Sequence, residues 1–305
     1  MKPQTDLSHK GRAVEEWADL HFFRPAGIRI ARALLPTGIS ADQVTLWSLV
    51  IGLVAGHLFA YRDIWTNVIG FGLFIVSDIF DSADGQLARL RGTSTRLGRA
   101  LDGASDSLRF VNLYFHLVYR LIHAGFWGPG AFLLCAAAGL AHTYQSAAVD
   151  FVRNAFLQIG LGTKGELDLP EDLEASRGGG GGGGTLLQRF GARVYRDYVL
   201  RQAQLFPRSV KLIRLLRRYG VTERFRAEYR ARQDGVLPLC AWLGQNIRFV
   251  LLVGAAVAAH ISAYLWIEAV WMSLLLVVLL WIHEWNATAL SEQLDSERDA
   301  YARIT

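Results

Sequence analysis

The chain has 305 residues, 52% of them apolar and only 19% charged, with 32 Lys and Arg against 27 Asp and Glu for a formal charge of +5. Most of the basic residues lie beside apolar runs, where they orient membrane helices and meet anionic headgroups, and no basic stripe interleaved with aromatics is present, so nucleic acid is set aside as a partner. The only cysteines, Cys135 and Cys240, stand outside any CxxC or Cys/His cluster, which sets aside zinc and redox chemistry and leaves two buried, inert thiols.

Met1–Glu16 is polar and lacks an apolar core before a small-residue cleavage site, so the chain is expected to reach the membrane through its own first helix. Val14–Leu35 mixes Trp17, Phe22, Phe23 and Ile28 with Glu15, Arg24, Arg29 and Arg32, the pattern of an amphipathic helix in the headgroup region, interrupted at Pro25. A soluble helix packed on loops is the alternative. Pro36 and Gly38 end this helix, and Ser40 or Asp42 is placed to cap the next one.

A bilayer-crossing helix needs about 20 apolar residues. Six segments qualify: Val44–Tyr61, Trp65–Asp84, Gly98–Ile122, Phe126–Asp150, Leu237–Ile261 and Ala263–Trp285. The predicted fold is therefore an all-α membrane protein with six transmembrane helices, an N-terminal amphipathic helix and a cytoplasmic insertion. Its divisions are an interfacial segment (1–43), helices one to four (44–150), the insertion (151–236), and the last two helices with the tail (237–305). Arg89, Arg91, Arg96 and Arg99 crowd one connection, a second Arg-rich stretch runs from Arg189 to Arg232, and Lys2, Lys10, Arg12, Arg298 and Arg303 flank the ends. The positive-inside rule puts these parts, both termini included, in the cytoplasm. Within the insertion, Gly178–Gly184 reads as a flexible tether, and Leu186–Tyr219 as a basic amphipathic hairpin for anionic lipid or a peripheral subunit.

The chemistry concentrates in Asp81-Ser-Ala-Asp84-Gly85-Gln-Leu-Ala88-Arg89, then eight residues, then Gly98-Arg-Ala-Leu-Asp102-Gly-Ala-Ser-Asp106. Residues three or four apart share a helix face, so Asp81 and Asp84 form one pair and Asp102 and Asp106 another, on antiparallel helices joined by a short loop. Four carboxylates at a membrane interface need compensation, and intramembrane ionisable groups are usually functional. Two divalent cations balance them, and an oxygen-only ligand set suits Mg²⁺ or Mn²⁺ bridging a phosphate substrate. Gly85 and Gly98 leave room beside the backbone, and Arg89 is suited to a phosphate. A calcium-binding helix–loop–helix reading fails, because Ala83, Gly85 and Gly92 would occupy its third, fifth and twelfth loop positions. Carboxylates merely paired with Arg89, Arg96 and Arg99 would not need this glycine spacing.

This stretch resembles the signature of the CDP-alcohol phosphotransferase (CDP-alcohol phosphatidyltransferase) family, D-x2-D-G-x2-A-R-x8-G-x3-D-x3-D, at every specified position. The resemblance extends over the helical frame but not the insertion. It implies a metal-dependent transferase of substituted phosphate groups in phospholipid biosynthesis, and a homodimer. Asp81, Asp84, Asp102 and Asp106 would hold two Mg²⁺ or Mn²⁺ ions, with Asp106 also the general base. Donor or nucleotide contacts would fall to Gly85, Ala88, Arg89, Thr95, Gly98, Asp78, Thr45 and Asp42, the last departing from the family's usual Asn. Arg153 and Arg248 are candidate acceptor contacts, since they lie at or within later spans.

Three functions are open at this point. The first moves a phosphatidyl group from a CDP-diacylglycerol-like lipid to a small alcohol, such as an inositol or glycerol phosphate, with release of CMP. The second moves the phospho-alcohol of a soluble CDP-alcohol (CDP-choline or CDP-ethanolamine type) to a diacylglycerol-like lipid. The third, of another class, is a membrane transporter or an inactive scaffold. Retention of all four Asp and of Arg89 disfavours the last.

Overall fold

The computed structural model describes residues 14–93, 96–163, 167–177 and 186–302; Thr95 and the Gly178–Gly184 run lie outside them. The described residues form helices and no strand. They run α1 (Arg24–Leu34), α2 (Ala41–Leu58), α3 (Ile64–Arg91), α4 (Arg96–His123), α5 (Gly128–Ala155), α6 (Pro170–Arg177), α7 (Leu186–Leu205), α8 (Pro207–Tyr219), α9 (Glu223–Gln233), α10 (Leu237–Trp242), α11 (Gln245–Val257), α12 (Ile261–Trp266) and α13 (Met272–Ala302). Among the described residues, five stretches are long and apolar enough to cross a membrane: Ala41–Leu58, Ile64–Arg91, Gly128–Gly160, Leu237–Val257 and Ile261–Ser296. The protein is thus an all-α integral membrane protein.

The remaining predicted span is α4. It is a helix of 28 residues, but Asp102, Asp106, Arg109 and Arg120 interrupt its apolar face, so it is not among those five. The fifth predicted span is not one unbroken helix: α10 ends at Trp242 and α11 starts at Gln245, with Gly244 between them. The sixth is continuous but widens into a π-turn at Ile267–Trp271 before α13 runs on well past Trp285. Pro25 falls in the first turn of α1, directly after another π-turn at Asp19–Phe23, so the chain absorbs the proline's missing N–H there. Ser40 caps α2 in a reciprocal pair with Gln43, and Asp63 caps α3 through the Thr66 N–H. That N–H bond holds the Asp63 carboxyl below its ordinary range.

The chain divides into two compact units. The first comprises Met1–Thr143, Gly184–Tyr195 and Gln245–Trp271. In it α2 packs on α3 and α4, and α1 lies on α3. Gly52 and Gly56 allow the close approach of α4: a Cβ at Gly52 would sit 2.3 Å from Cδ of Arg109, and one at Gly56 2.6 Å from Nδ2 of Asn112. This is the small-xxx-small device of membrane helix pairs. An apolar core of Phe59, Phe74, Leu113, Leu117, Phe249 and Leu252 fills the unit further along.

Within that core Arg248 pairs with Glu268, and His142 Nδ1 lies 2.9 Å from the same carboxylate oxygen. Arg248 is 1% exposed and Glu268 0%. Removing one member of a buried pair strands the other charge, at about 3–5 kcal/mol. Arg248→Met is therefore expected to lower stability by about that amount, and Arg248→Met with Glu268→Leu to recover much of it. Thermal unfolding in detergent checks this, and a single variant as stable as the parent contradicts it.

The second unit comprises Tyr144–Gly183, Arg196–Gly244 and Met272–Thr305. Here α8 lies on α13, with Val210, Leu212, Ile213 and Leu216 buried. The apolar face of the second helix of the predicted basic hairpin is thus covered by protein. The Glu284 carboxylate accepts from the Arg208 and Ser209 N–H groups at 2.7 and 3.0 Å, satisfying the N-terminus of α8. Arg214 pairs with Glu171 and Arg217 with Asp172, so part of the basic face is neutralised within the chain. The Arg214 hydrogen bond pulls the Glu171 carboxyl down to about 2.

Candidate active site

The last turns of α3 and the first turns of α4 carry the motif. The helix does not stop where the apolar run ends at Asp84; it continues to Arg91, so Gly85, Ala88 and Arg89 are helical too. Gly92 then takes a left-handed conformation (φ 69°), open to glycine at little cost, and ends the helix. Arg91 reaches back to the carbonyls of Leu34, Thr37 and Ile39 at 2.9, 2.8 and 2.5 Å. A residue that reads in the sequence as orienting charge therefore fixes the end of α1 and the turn before α2.

Ligand oxygens of Asp81, Asp84 and Asp102 all lie within 4.8 Å of one another. Opposed ligands of an octahedral Mg²⁺ are roughly 4.2 Å apart, from about 2.1 Å per bond. Adjacent ligands of such an ion are roughly 3.0 Å apart, so the three oxygens would close around it by drawing together, and carboxylates alone suit Mg²⁺ or Mn²⁺. Asp84 is 5% exposed, and its Oδ2 accepts from the Thr45 hydroxyl on α2 at 2.5 Å. Thr45, a donor contact by family resemblance, thus orients a carboxylate of the cluster in this structure. Asp42 sits exposed in the first turn of α2.

Asp106 is engaged elsewhere. One of its oxygens takes the guanidinium of Arg109, one turn further along α4. Arg109 also donates to Ser77 Oγ at 2.7 Å, Asp78 Oδ1 at 3.0 Å and Asp81 Oδ1 at 3.3 Å. The Gln245 amide donates to Asp78 at 3.0 and 3.1 Å, so Asp78 faces Arg109 and α11. Ser48 and Ser77 exchange hydrogen bonds with each other's carbonyls at 2.9 and 2.8 Å, which locks α2 to α3 beside this group.

The bare face of Gly85 is bordered by Arg89: a Cβ there would lie 3.4 Å from Nη1. Ala88 and Gly98 are half-buried. Arg248 is spent on Glu268 within the same unit. Arg153 belongs to the second unit, where its neighbour Asp150 accepts from Tyr198 and from Asn154.

The sequence profile of the CDP-alcohol phosphatidyltransferase family matches residues 38–155. Over 146 residues the chain is 31% identical to a phosphatidylinositol phosphate synthase of Mycobacteroides abscessus, covering 47% of this chain and 63% of that protein. Over 100 residues it is 32% identical to a CDP-diacylglycerol–serine O-phosphatidyltransferase of Methanocaldococcus jannaschii, covering 33% of this chain and 45% of that protein. An archaetidylinositol phosphate synthase of Pyrococcus horikoshii is 24% identical over 138 residues, 45% of this chain and 70% of that protein. The chain thus spans less than two thirds of the length of the first two.

Proposed function

We propose that this chain, whose residues 38–155 match the profile of the CDP-alcohol phosphatidyltransferase family, is a member of that family and transfers a phosphatidyl group from a CDP-diacylglycerol-like lipid to a small alcohol, releasing CMP. The observation that carries the reading is the convergence of Asp81, Asp84 and Asp102 within 4.8 Å at the end of a membrane helix, one turn from Asp106. Two of the relatives are named for inositol phosphate lipids, which favours a polyol phosphate as acceptor. The family and a relative named for serine transfer keep other small alcohols in the test.

In this reading Asp81, Asp84 and Asp102 would hold the Mg²⁺ or Mn²⁺ ions, whose positive charge would offset that of a pyrophosphate donor. Thr45 keeps Asp84 turned toward that position. Arg89, beside the open face of Gly85, takes a donor phosphate with its planar fork. Asp106 accepts the proton of the acceptor hydroxyl at a carboxylate oxygen; the alcohol oxygen bonds to phosphorus as the bond to CMP breaks. Positioning and electrostatics supply most of the rate, as in phosphoryl transfer generally. By the positive-inside rule, the Arg-rich connection after α3 supports a cytoplasmic side for this chemistry.

Purified protein with CDP-diacylglycerol, Mg²⁺ and a panel of inositol phosphate, glycerol phosphate, serine and inositol is expected to give one dominant phosphatidyl product by mass spectrometry. Product only from CDP-choline or CDP-ethanolamine with diacylglycerol would reverse the donor assignment.

A further inference from the structure

We infer that the exposed flank of α8 carrying Arg208, Lys211 and Arg218 is a docking surface for the headgroups of anionic lipids. This surface lies within the second unit and is independent of the transfer reaction proposed above. The level of the membrane is marked on α13. There the exposed residues Leu274, Val277, Val278, Trp281 and Trp285 follow one another at helical spacing, an apolar stripe that suits lipid. The stripe ends at Trp285, and the next exposed positions on that helix are Glu292, Asp295 and Ser296. Tryptophans collect at the boundary between lipid tails and headgroups, so the headgroups lie beside Trp281 and Trp285.

Glu284 falls between those two tryptophans in the chain. Its carboxylate takes the Arg208 and Ser209 N–H groups and, at 2.6 Å, the Ser209 hydroxyl. The first turn of α8 is thereby pinned at headgroup depth. The apolar residues of α8 are turned inward, so what the helix offers outward is charge rather than a face for insertion. Arg214 and Arg217 are spent on Glu171 and Asp172 of α6. Arg208, Lys211 and Arg218 are exposed, and among the described residues none of them has a carboxylate partner. Spaced by three and seven residues, they share one flank with Leu215 and extend about 15 Å at 1.5 Å per residue. A row of uncompensated cations that begins at the headgroup boundary fits a row of lipid phosphates. Each basic residue near such a surface contributes roughly 5-fold in affinity.

The test uses the full chain in phosphatidylcholine vesicles that carry a minor fraction of brominated lipid, since bromine quenches tryptophan on contact. The emission lost in Trp285→Phe assigns the share of Trp285. That share is expected to be quenched at least about 3-fold more by brominated phosphatidylglycerol than by brominated phosphatidylcholine at equal mole fraction, with the preference fading in about 1 M salt. Arg208→Gln with Lys211→Gln should bring the ratio near one. Arg214→Gln with Arg217→Gln removes the same formal charge from the flank that is already paired, and should keep the parental ratio.

Equal quenching by the two lipids in the parent, or a parental preference in Arg208→Gln with Lys211→Gln, overturns the inference. Equal loss in both double variants also overturns it, because net charge rather than this flank would then be responsible. Soluble glycerol phosphate in excess should leave the quenching unchanged. Competition by it would make the flank a site for a free anion and overturn its assignment to lipid. If a double variant does not fold, Lys211→Gln alone is read in its place, and a parental ratio there contradicts the docking role.

Discussion

Asp106→Asn is expected to fold, to bind CDP-diacylglycerol and Mn²⁺ as the parent does, and to lose turnover by about 10²–10⁴-fold, the usual contribution of a positioned general base. The expectation follows from where Asp106 sits. It is on α4, one turn from Asp102, half-exposed, and held by Arg109. The amide keeps the shape of the side chain and still accepts a hydrogen bond from Arg109 through its oxygen, so the surroundings have no cause to rearrange. What it cannot do is take a proton. The KM for donor should therefore stay within a few-fold while kcat collapses. Product formation within about 5-fold of the parent would remove Asp106 from the role of base.

Asp84→Asn is expected to fail differently, by losing metal. Asp84 is the most deeply buried of the cluster, at 5% exposed, and is oriented by the Thr45 hydroxyl. Asparagine preserves that hydrogen bond through its amide oxygen but gives up the negative charge. Loss of a partner behind a metal ligand already costs roughly 10–100-fold in affinity or activity. Loss of a ligand charge in a buried site should exceed that, and excess Mn²⁺ should recover little. Mn²⁺ titration followed by resonance, alongside CMP release, reads both effects. Parental Mn²⁺ affinity in Asp84→Asn would mean the three carboxylates do not hold the ion. The two variants together separate the roles, since one keeps metal without turnover and the other loses both.

Much of this site is readable from spacing. Asp81 with Asp84 and Asp102 with Asp106 face each other because helices three to four residues per turn put them there, and the structure brings three of the four together. Gly52-x-x-x-Gly56 signals a close helix pair in the same way, although its consequence, the slot for Arg109, depends on α4 arriving at that height. Arg109 itself is three residues after Asp106 and so on its face, a signal available without coordinates.

Other features are not local and escape such reading. Thr45 and Asp84 are 39 residues apart, and Asp78 and Gln245 are 167 apart; only the packing of α2 and α11 on α3 makes them neighbours. Hydropathy ends the second span at Asp84, but hydrogen bonding carries α3 on to Gly92, where the left-handed turn stops it. The same measure joins α10 to α11, because the break at Gly244 costs no apolar residues. It also undervalues α4, whose Arg109 and Arg120 are partnered by α3 and so need not meet lipid. Arg120 on that helix, for instance, donates to Asn67 at 2.7 Å.

The most direct test of the central claim is CMP release from CDP-diacylglycerol by the purified full chain, with inositol phosphate or another acceptor from the panel, in Mn²⁺ and then with chelator in excess. The account predicts CMP formed in step with one new phosphatidyl lipid, abolished by chelator and restored when Mn²⁺ is returned. CMP release that persists without divalent ion, or none from the parent protein under any acceptor, would contradict it.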